Sequence, residues 1–248
     1  MCGRYTLTHS VADLGRVFDF LERPNLPPRH NAAPTQELPV VRRRARGDAD
    51  ADADTETGAA TGARELAVMR WGLVPFWADD PSIGSRMINA RAETALEKAS
   101  FRNAMRERRC LVPADGFYEW KASPGGAKQP FRIVARDRGP FAFAGLWEVW
   151  KGPKGAPLER PMQSFTILTT TANRTLQPLH ERMPVILDPA DFDVWLDPGT
   201  PAEEAAKLLR PCPDDRLEVY PVSTRVNAVR NDDAACIAPL AEEPPRLL

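Results

Sequence analysis

The sequence predicts an α+β fold, with a distorted, barrel-like antiparallel β core and short helices at its periphery. Three observations predict it. Runs rich in β-branched and aromatic residues crowd the chain from Arg109 onward, punctuated by Gly and Pro. Apolar residues at helical spacing are confined to short stretches. The 25 prolines among 248 residues favour turns and edge strands over long helices. With 43% hydrophobic and 27% charged residues, the chain has the composition of an ordinary globular domain.

Taken in order, Val11, Leu14, Phe18 and Leu21 recur at helical spacing behind Ser10, a suitable N-cap, and predict a helix over 11–21. Arg23 to Gln36 is proline-rich and reads as an extended loop. Strands follow over Leu38–Arg42 and Glu65–Trp71. They are joined by a low-complexity Ala/Asp tract, 43–63, which reads as a mobile insertion. Arg70-Trp71-Gly72-Leu73-Val74-Pro75-Phe76-Trp77 then leaves the strand in an aromatic turn. Ala92 to Arg109 reads as one or two short helices. Strands are predicted over Arg109–Val112, Phe117–Lys121, Pro130–Ala135, Phe141–Trp150 and Phe165–Thr171. Asn173–Leu179 reads as a turn or short helix and Arg182–Leu187 as a strand. Ala190–Leu196 and Ala202–Leu209 read as helices, and Leu217–Val222 as the last strand. One domain over 1–226 with a C-terminal tail over 227–248 accounts for the pattern.

The net charge of −1 hides an uneven distribution. Setting aside Asp48, Asp50, Asp52, Asp54 and Glu56 of the Ala/Asp tract leaves the remainder at +4. Between Arg86 and Arg109 seven basic residues stand against three acidic ones, either an anion-binding surface or a solvated helix face. Cys2, Cys110, Cys212 and Cys236 have neither metal-ligand nor redox spacing. No metal and no cofactor are expected. With no signal-peptide pattern and no apolar run of membrane-spanning length, a cytoplasmic protein without a membrane partner is expected.

Met1-Cys2-Gly3-Arg4 carries the most chemistry. Removal of Met1 would leave Cys2 with a free α-amine and an adjacent thiol, of reference pKa roughly 7.7–8.0 and 8.5. An aldehyde is the partner of such an aminothiol: the amine forms an imine and the thiol closes it to a thiazolidine. The alternative is a structural thiol near the start of the chain. Asn89 and Arg91, two residues apart, could orient a substrate oxygen and grip a phosphate, or serve a turn and an ion pair with Glu93. Glu119 lies among aromatics, where desolvation would raise its pKa for acid–base work; an outward-facing strand glutamate is the ordinary reading. His180 precedes a strand and could join a reaction site or cap its own turn. Phe76 and Trp77 could stack bases or belong to the core.

Six segments occur in a telling order: Met1-Cys2-Gly3-Arg4-Tyr5, Asn31-Ala32-Ala33-Pro34, Trp71-Gly72-Leu73-Val74-Pro75, Ile88-Asn89-Ala90-Arg91-Ala92-Glu93-Thr94, Asp115-Gly116-Phe117-Tyr118-Glu119-Trp120 and His180-Glu181-Arg182-Met183-Pro184. From Cys2 to about Val222 the chain resembles the SRAP (SOS-response-associated peptidase) family, whose members sense abasic sites in single-stranded DNA. The resemblance implies roles for individual residues. Cys2 matches the processed N-terminal nucleophile, Asn89 the amide that holds the ring-opened sugar, Glu119 the acid–base carboxylate and His180 the active-site histidine. Arg4 and Arg91 match phosphate contacts, and Asn31 and Thr169 match positions lining the site. Phe76-Trp77 stands where the family often has two tryptophans.

The function this implies is covalent capture of abasic sites in single-stranded DNA through a Cys2 thiazolidine, by a monomer that joins the nucleoid when bound. Weak lyase activity and self-removal of Met1 are expected side reactions. An N-terminal-nucleophile cysteine peptidase and a non-catalytic single-strand-binding module are the alternatives.

Overall fold

The computed structural model describes residues 2–44, 63–122, 126 and 128–240. In chain order the strands are β1 (Tyr5–Leu7), β2 (Arg29–Ala32), β3 (Glu37–Arg43), β4 (Arg64–Trp71), β5 (Asn89–Arg91), β6 (Arg109–Ala114), β7 (Gly116–Ala122), β8 (Lys128–Ala135), β9 (Phe141–Trp150), β10 (Met162–Thr171), β11 (Arg182–Pro184) and β12 (Leu217–Pro221). The helices are α1 (Val11–Phe18), α2 (Arg102–Glu107), α3 (Phe192–Leu196) and α4 (Ala202–Ala206).

Two sheets form the core. One is antiparallel, in the order β12-β8-β7-β1-β2. The other runs β10-β4-β3-β6-β9 and closes where β9 pairs back onto β10. The expected barrel-like core is therefore a closed ring. It departs from the antiparallel expectation at β10, which runs parallel to β4 (Phe165↔Trp71) and to β5 (Ile167↔Asn89). Closure removes the open edges that a five-stranded sheet would otherwise expose. Within the core Trp71 lies parallel to Phe165, with centroids 6.3 Å apart, and Tyr5 packs against Trp71 at 5.2 Å.

Local chemistry explains where several elements stop. Ser10 accepts the Asp13 N–H and starts α1; Asp19, at φ 58°, takes the left-handed conformation and ends it. The helix therefore stops short of Leu21, which is exposed. At the start of the aromatic turn, Gly72 adopts φ 115°, and a Cβ there would meet the Gly84 carbonyl oxygen at 2.6 Å. Only glycine fits that crossing. Arg109, counted by sequence in the basic cluster, is buried instead. Its guanidinium donates to the carbonyls of Met105, Arg106, Trp195, Asp197 and Thr200, tying helix ends together.

Three strands, β1, β2 and β5, lie where the sequence suggests none. β1 is buried along its whole length between β2 and β7, so it has no alternation to read. β2 falls inside the proline-rich stretch read as loop. Its outer edge is held by Asp232, whose Oδ1 accepts the His30 and Asn31 N–H groups at 2.5 and 2.7 Å. The segment beyond residue 226 continues into the fold as far as Leu240, through Asp232, a Val222↔Pro239 bridge and the Leu240 N–H to the Pro221 carbonyl. The expected insertion over 43–63 falls, from 45 to 62, outside the described residues; at its base the Arg44 N–H donates to Ala63.

Candidate active site

The chain start, the β7 strand, the start of β8 and the turn before β11 converge on one cleft of about 560 Å³, lined by Gly3, Arg4, Glu119, Trp120, Lys128, His180 and Asn227, and β5 reaches the chain start through Asn89. The convergence follows from pairing. β7 lies beside β1, and the Tyr118 N–H donates to the Arg4 carbonyl, setting Glu119 next to the chain start. β10 holds β5 on one side and β11 on the other, through Thr169↔Arg91 and Thr169↔Pro184. That brings Asn89 and His180 to the same end of the ring.

Cys2, next to the lining residue Gly3, is itself fully buried. Asn89 Nδ2 donates to its carbonyl oxygen at 2.8 Å. Burial, reinforced by the nearby negative charge of Glu119, pushes the Cys2 thiol far above its usual range. The thiol therefore departs from its reference value: in the chain that carries Met1 the sulfur stays protonated, and a base must take its proton before it can react.

Glu119 is only 4% exposed, and burial raises its carboxyl above the usual carboxylate range while His180 pulls in the opposite direction. A carboxylate so tuned can exchange protons nearer neutrality. His180 Nδ1 accepts the Arg182 N–H at 2.9 Å, so the neutral ring carries its proton on Nε2. The turn itself is clamped. Arg182 pairs with both oxygens of Glu93, at 2.6 and 2.8 Å, and donates to the Thr169 carbonyl at 2.6 Å. Glu93 therefore engages Arg182 rather than Arg91, and Arg91 is exposed.

The remaining expected residues divide into three groups. Arg4 lines the cleft, yet its guanidinium donates to Asn31 Oδ1, Val226 O and Asn227 O. Asn31 and Thr169 are fully buried behind the lining: Asn31 Nδ2 bonds the carbonyls of Val226, Ala228 and Asn231, and Thr169 Oγ1 donates to Ala90 O at 3.4 Å. Phe76 and Trp77 stand apart on their turn, 52% and 47% exposed, as an aromatic pair open to a ligand.

Sequence reasoning missed Asp115, which braces the site from behind. Its carboxylate accepts from Thr6 Oγ1, Thr8 N and Thr8 Oγ1, contacts His9 Nδ1 at 3.2 Å and pairs with Arg132 at 3.1 Å. Burial alone would raise its pKa, but these bonds outweigh it and hold the carboxyl below the usual range. Its place in Asp115-Gly116-Phe117-Tyr118-Glu119 was the available signal. Trp120 was also in that motif; its indole N–H donates to Asn227 Oδ1 at 2.7 Å. Among the described residues no helix is long and apolar enough to cross a membrane, and no group of three His, Cys, Asp or Glu side chains is arranged to hold a metal.

Comparison with known proteins gives a consistent answer. A protein of Bacteroides thetaiotaomicron has the same fold, with a TM-score of 0.80 over 96% of this chain and all of that one, at 24% identity. A phage-related protein of Bordetella bronchiseptica matches at a TM-score of 0.65 and 31% identity, over 89% of this chain and 94% of that one. The chain is 39% identical to the abasic site processing protein YoqW of Bacillus subtilis, over 96% of this chain and 99% of that protein. It is 34% identical to the abasic site processing protein HMCES of Gallus gallus, over 97% of this chain and 78% of that protein. Residues 1–229 match the family described as SOS response associated peptidase (SRAP), and the chain belongs to that family.

Proposed function

We propose that this protein processes abasic sites in single-stranded DNA, holding the damaged sugar as a covalent thiazolidine on Cys2 after Met1 has been removed. The observation that carries the reading is the Asn89 Nδ2 bond to the Cys2 carbonyl, which fixes the second residue beside a buried glutamate and a histidine of fixed tautomer. The names of the relatives supply the substrate class.

The chemistry runs in three steps. Glu119 takes the proton of the C1′ hydroxyl of the closed sugar while His180 Nε2–H donates to O4′, opening the ring to an aldehyde. The α-amine of Cys2 attacks C1′, and the carbinolamine hydroxyl takes the proton held by Glu119 and leaves as water, giving an iminium ion and returning Glu119 to its carboxylate. The Cys2 sulfur then adds to that carbon as Glu119 accepts the thiol proton, the S–C1′ bond closes the ring, and passage of that proton to His180 restores both groups. Closure matters because an iminium at C1′ acidifies C2′ and invites β-elimination with strand cleavage. Weak lyase activity therefore belongs to the open intermediate and grows when the thiol is missing. The same acid–base groups allow slow reversal.

Binding relies on the backbone rather than on base identity. Arg91 and neighbouring basic residues meet phosphates, and Phe76 with Trp77 stacks the neighbouring bases. An abasic nucleotide is already unstacked and costs little to draw into a pocket. A peptidase dyad of Cys2 and His180 is the rival reading.

The test is intact mass with a denaturing gel, using an abasic single-stranded oligonucleotide. The expected result is loss of Met1 and a band of protein plus DNA that survives denaturation and disappears in Cys2→Ala. Equal crosslinking in Cys2→Ala, or retention of Met1 in a crosslinking protein, overturns the mechanism. Peptide turnover without a band supports hydrolysis, and salt-sensitive retention without either supports simple binding.

A further inference from the structure

We infer that Lys128 is the cation that grips a phosphodiester of the strand where it enters the cleft, at the nucleotide flanking the damaged one. The inference rests on the reading of the cleft as a single-strand site, and it adds a residue that the ordered motifs do not contain. Lys128 lines the same cleft as Glu119 and His180 and is exposed at the first position of β8. Among the described residues it makes no ion pair and no side-chain hydrogen bond. The other cation of that lining, Arg4, is committed to Asn31 Oδ1 and to the carbonyls of Val226 and Asn227. Arg4 is thus a fixed positive wall, whereas Lys128 has all three ammonium donors to offer.

Its neighbours fit a nucleotide. By register Lys128 stands opposite Ala122, and Trp120 stands opposite Pro130, so strand alternation puts Lys128 and Trp120 on the same face of the sheet. The Trp120 indole N–H is bound by Asn227 Oδ1, which holds the ring as part of the cleft wall. An aromatic face beside an unpaired ammonium is the pairing that single strands use, a base against the ring and its phosphate against the charge. Lys128 also lies three residues along β8 from Phe131, the partner of Glu119, so the two backbones are about 10 Å apart along the strand and, by the same alternation, Glu119 belongs to the other face. That distance suits a flanking phosphate and not the reacting C1′. Lys128 is therefore a binding residue, not a proton carrier.

The experiment measures binding of an undamaged single-stranded oligonucleotide to the full chain across a salt series, together with crosslinking of an abasic strand under single-turnover conditions. Each phosphate contact on a single strand contributes about 0.7 to the slope of log affinity against log salt. Lys128→Ala is expected to lower that slope by about 0.7 and to weaken low-salt binding by about three- to ten-fold. Lys128→Arg is expected to keep the slope. With abasic DNA, Lys128→Ala raises the half-saturating concentration while the rate at saturation stays at the wild-type value.

Lys151→Ala, at another exposed lysine, controls for net charge. An unchanged slope in Lys128→Ala, or an equal fall in Lys151→Ala, overturns the inference, as does a loss of rate at saturation. If the wild type fails to crosslink, the covalent reading fails, while the salt slope still decides the role of Lys128.

Discussion

Asn89 and Cys2 are joined by a single hydrogen bond, Nδ2 to the Cys2 carbonyl at 2.8 Å, while Asn89 Oδ1 is buried without a partner among the described residues. One end of the amide holds Cys2 in place. The other end is an unused acceptor in a low-dielectric setting, ready for a donor on the substrate. Asn89→Ala removes both and is expected to slow crosslinking by about 10- to 100-fold, the equivalent of one to three kcal/mol. Asn89→Asp presents an acceptor in place of the donor and is expected to lose at least as much. A gel time course measures both, and wild-type rates in either variant would refute the role.

Glu119 carries a cost that its removal should reveal. Burial raises its folded pKa above the unfolded value, so the stability linked to it is complete below the unfolded pKa and falls as pH rises through the folded one. Glu119→Gln is therefore expected to melt higher at pH 7, by about 2–4 °C, with the difference vanishing below about pH 4. The same variant should crosslink about 10²- to 10⁴-fold more slowly. Calorimetry at the two pH values and a crosslinking assay check the pair of outcomes; a lower melting temperature at pH 7 contradicts it.

Asp115 has the opposite sign. Its folded pKa is depressed, so its contribution is present above the unfolded pKa and is lost as pH falls through the folded value. Asp115→Asn is expected to lose about 3 kcal/mol at pH 7, because Arg132 then stays buried with a weaker partner. Below about pH 3 the two proteins should converge. Urea titrations at both pH values decide it.

The exposed pair Phe76 and Trp77 contributes little to folding, so Trp77→Ala should leave the melting temperature within about 2 °C. Its effect is expected in binding, where a lost stacking contact weakens single-strand affinity by about 5- to 100-fold. Anisotropy titration reads the effect, and an unchanged affinity removes the pair from the DNA interface.

Cys2, Cys110, Cys212 and Cys236 are all buried, and burial raises the thiols of Cys2, Cys110 and Cys212, that of Cys212 to about 11. Alkylation of the folded chain that carries Met1 is therefore expected to be slow at pH 7, with four additions only after unfolding. Mass spectrometry checks this; rapid modification of Cys2 in that form would contradict its burial.

Much of the fold was legible because it is written locally. The Phe141–Trp150 strand reads directly from its run of aromatic and aliphatic residues, and α1 from Ser10 and the spacing of Leu14 and Phe18. β1 and β2 were not legible, because β1 is three residues all buried and β2 four residues whose burial does not alternate, so neither shows a period. The Arg182–Glu93 clamp was hidden for another reason. Arg91, two residues from Glu93, is the nearer candidate in sequence, and only the pairing of β5 and β11 on the two edges of β10 reveals the actual partner.

By itself the sequence determined which reactive groups the chain possesses: an aminothiol precursor at residues 1–2, a carboxylate among aromatics at 119, and an imidazole at 180. Side-chain chemistry and short-range spacing are properties of the chain, and they survive in any conformation. Only the tertiary structure decided how those groups are held. The ring closes through β9 and β10, Cys2 is buried with its thiol pushed up, and Arg4 is bound by its own protein while Lys128 is left open to solvent. Ionisation and availability depend on what surrounds a group, and those surroundings come from residues tens to hundreds of positions away.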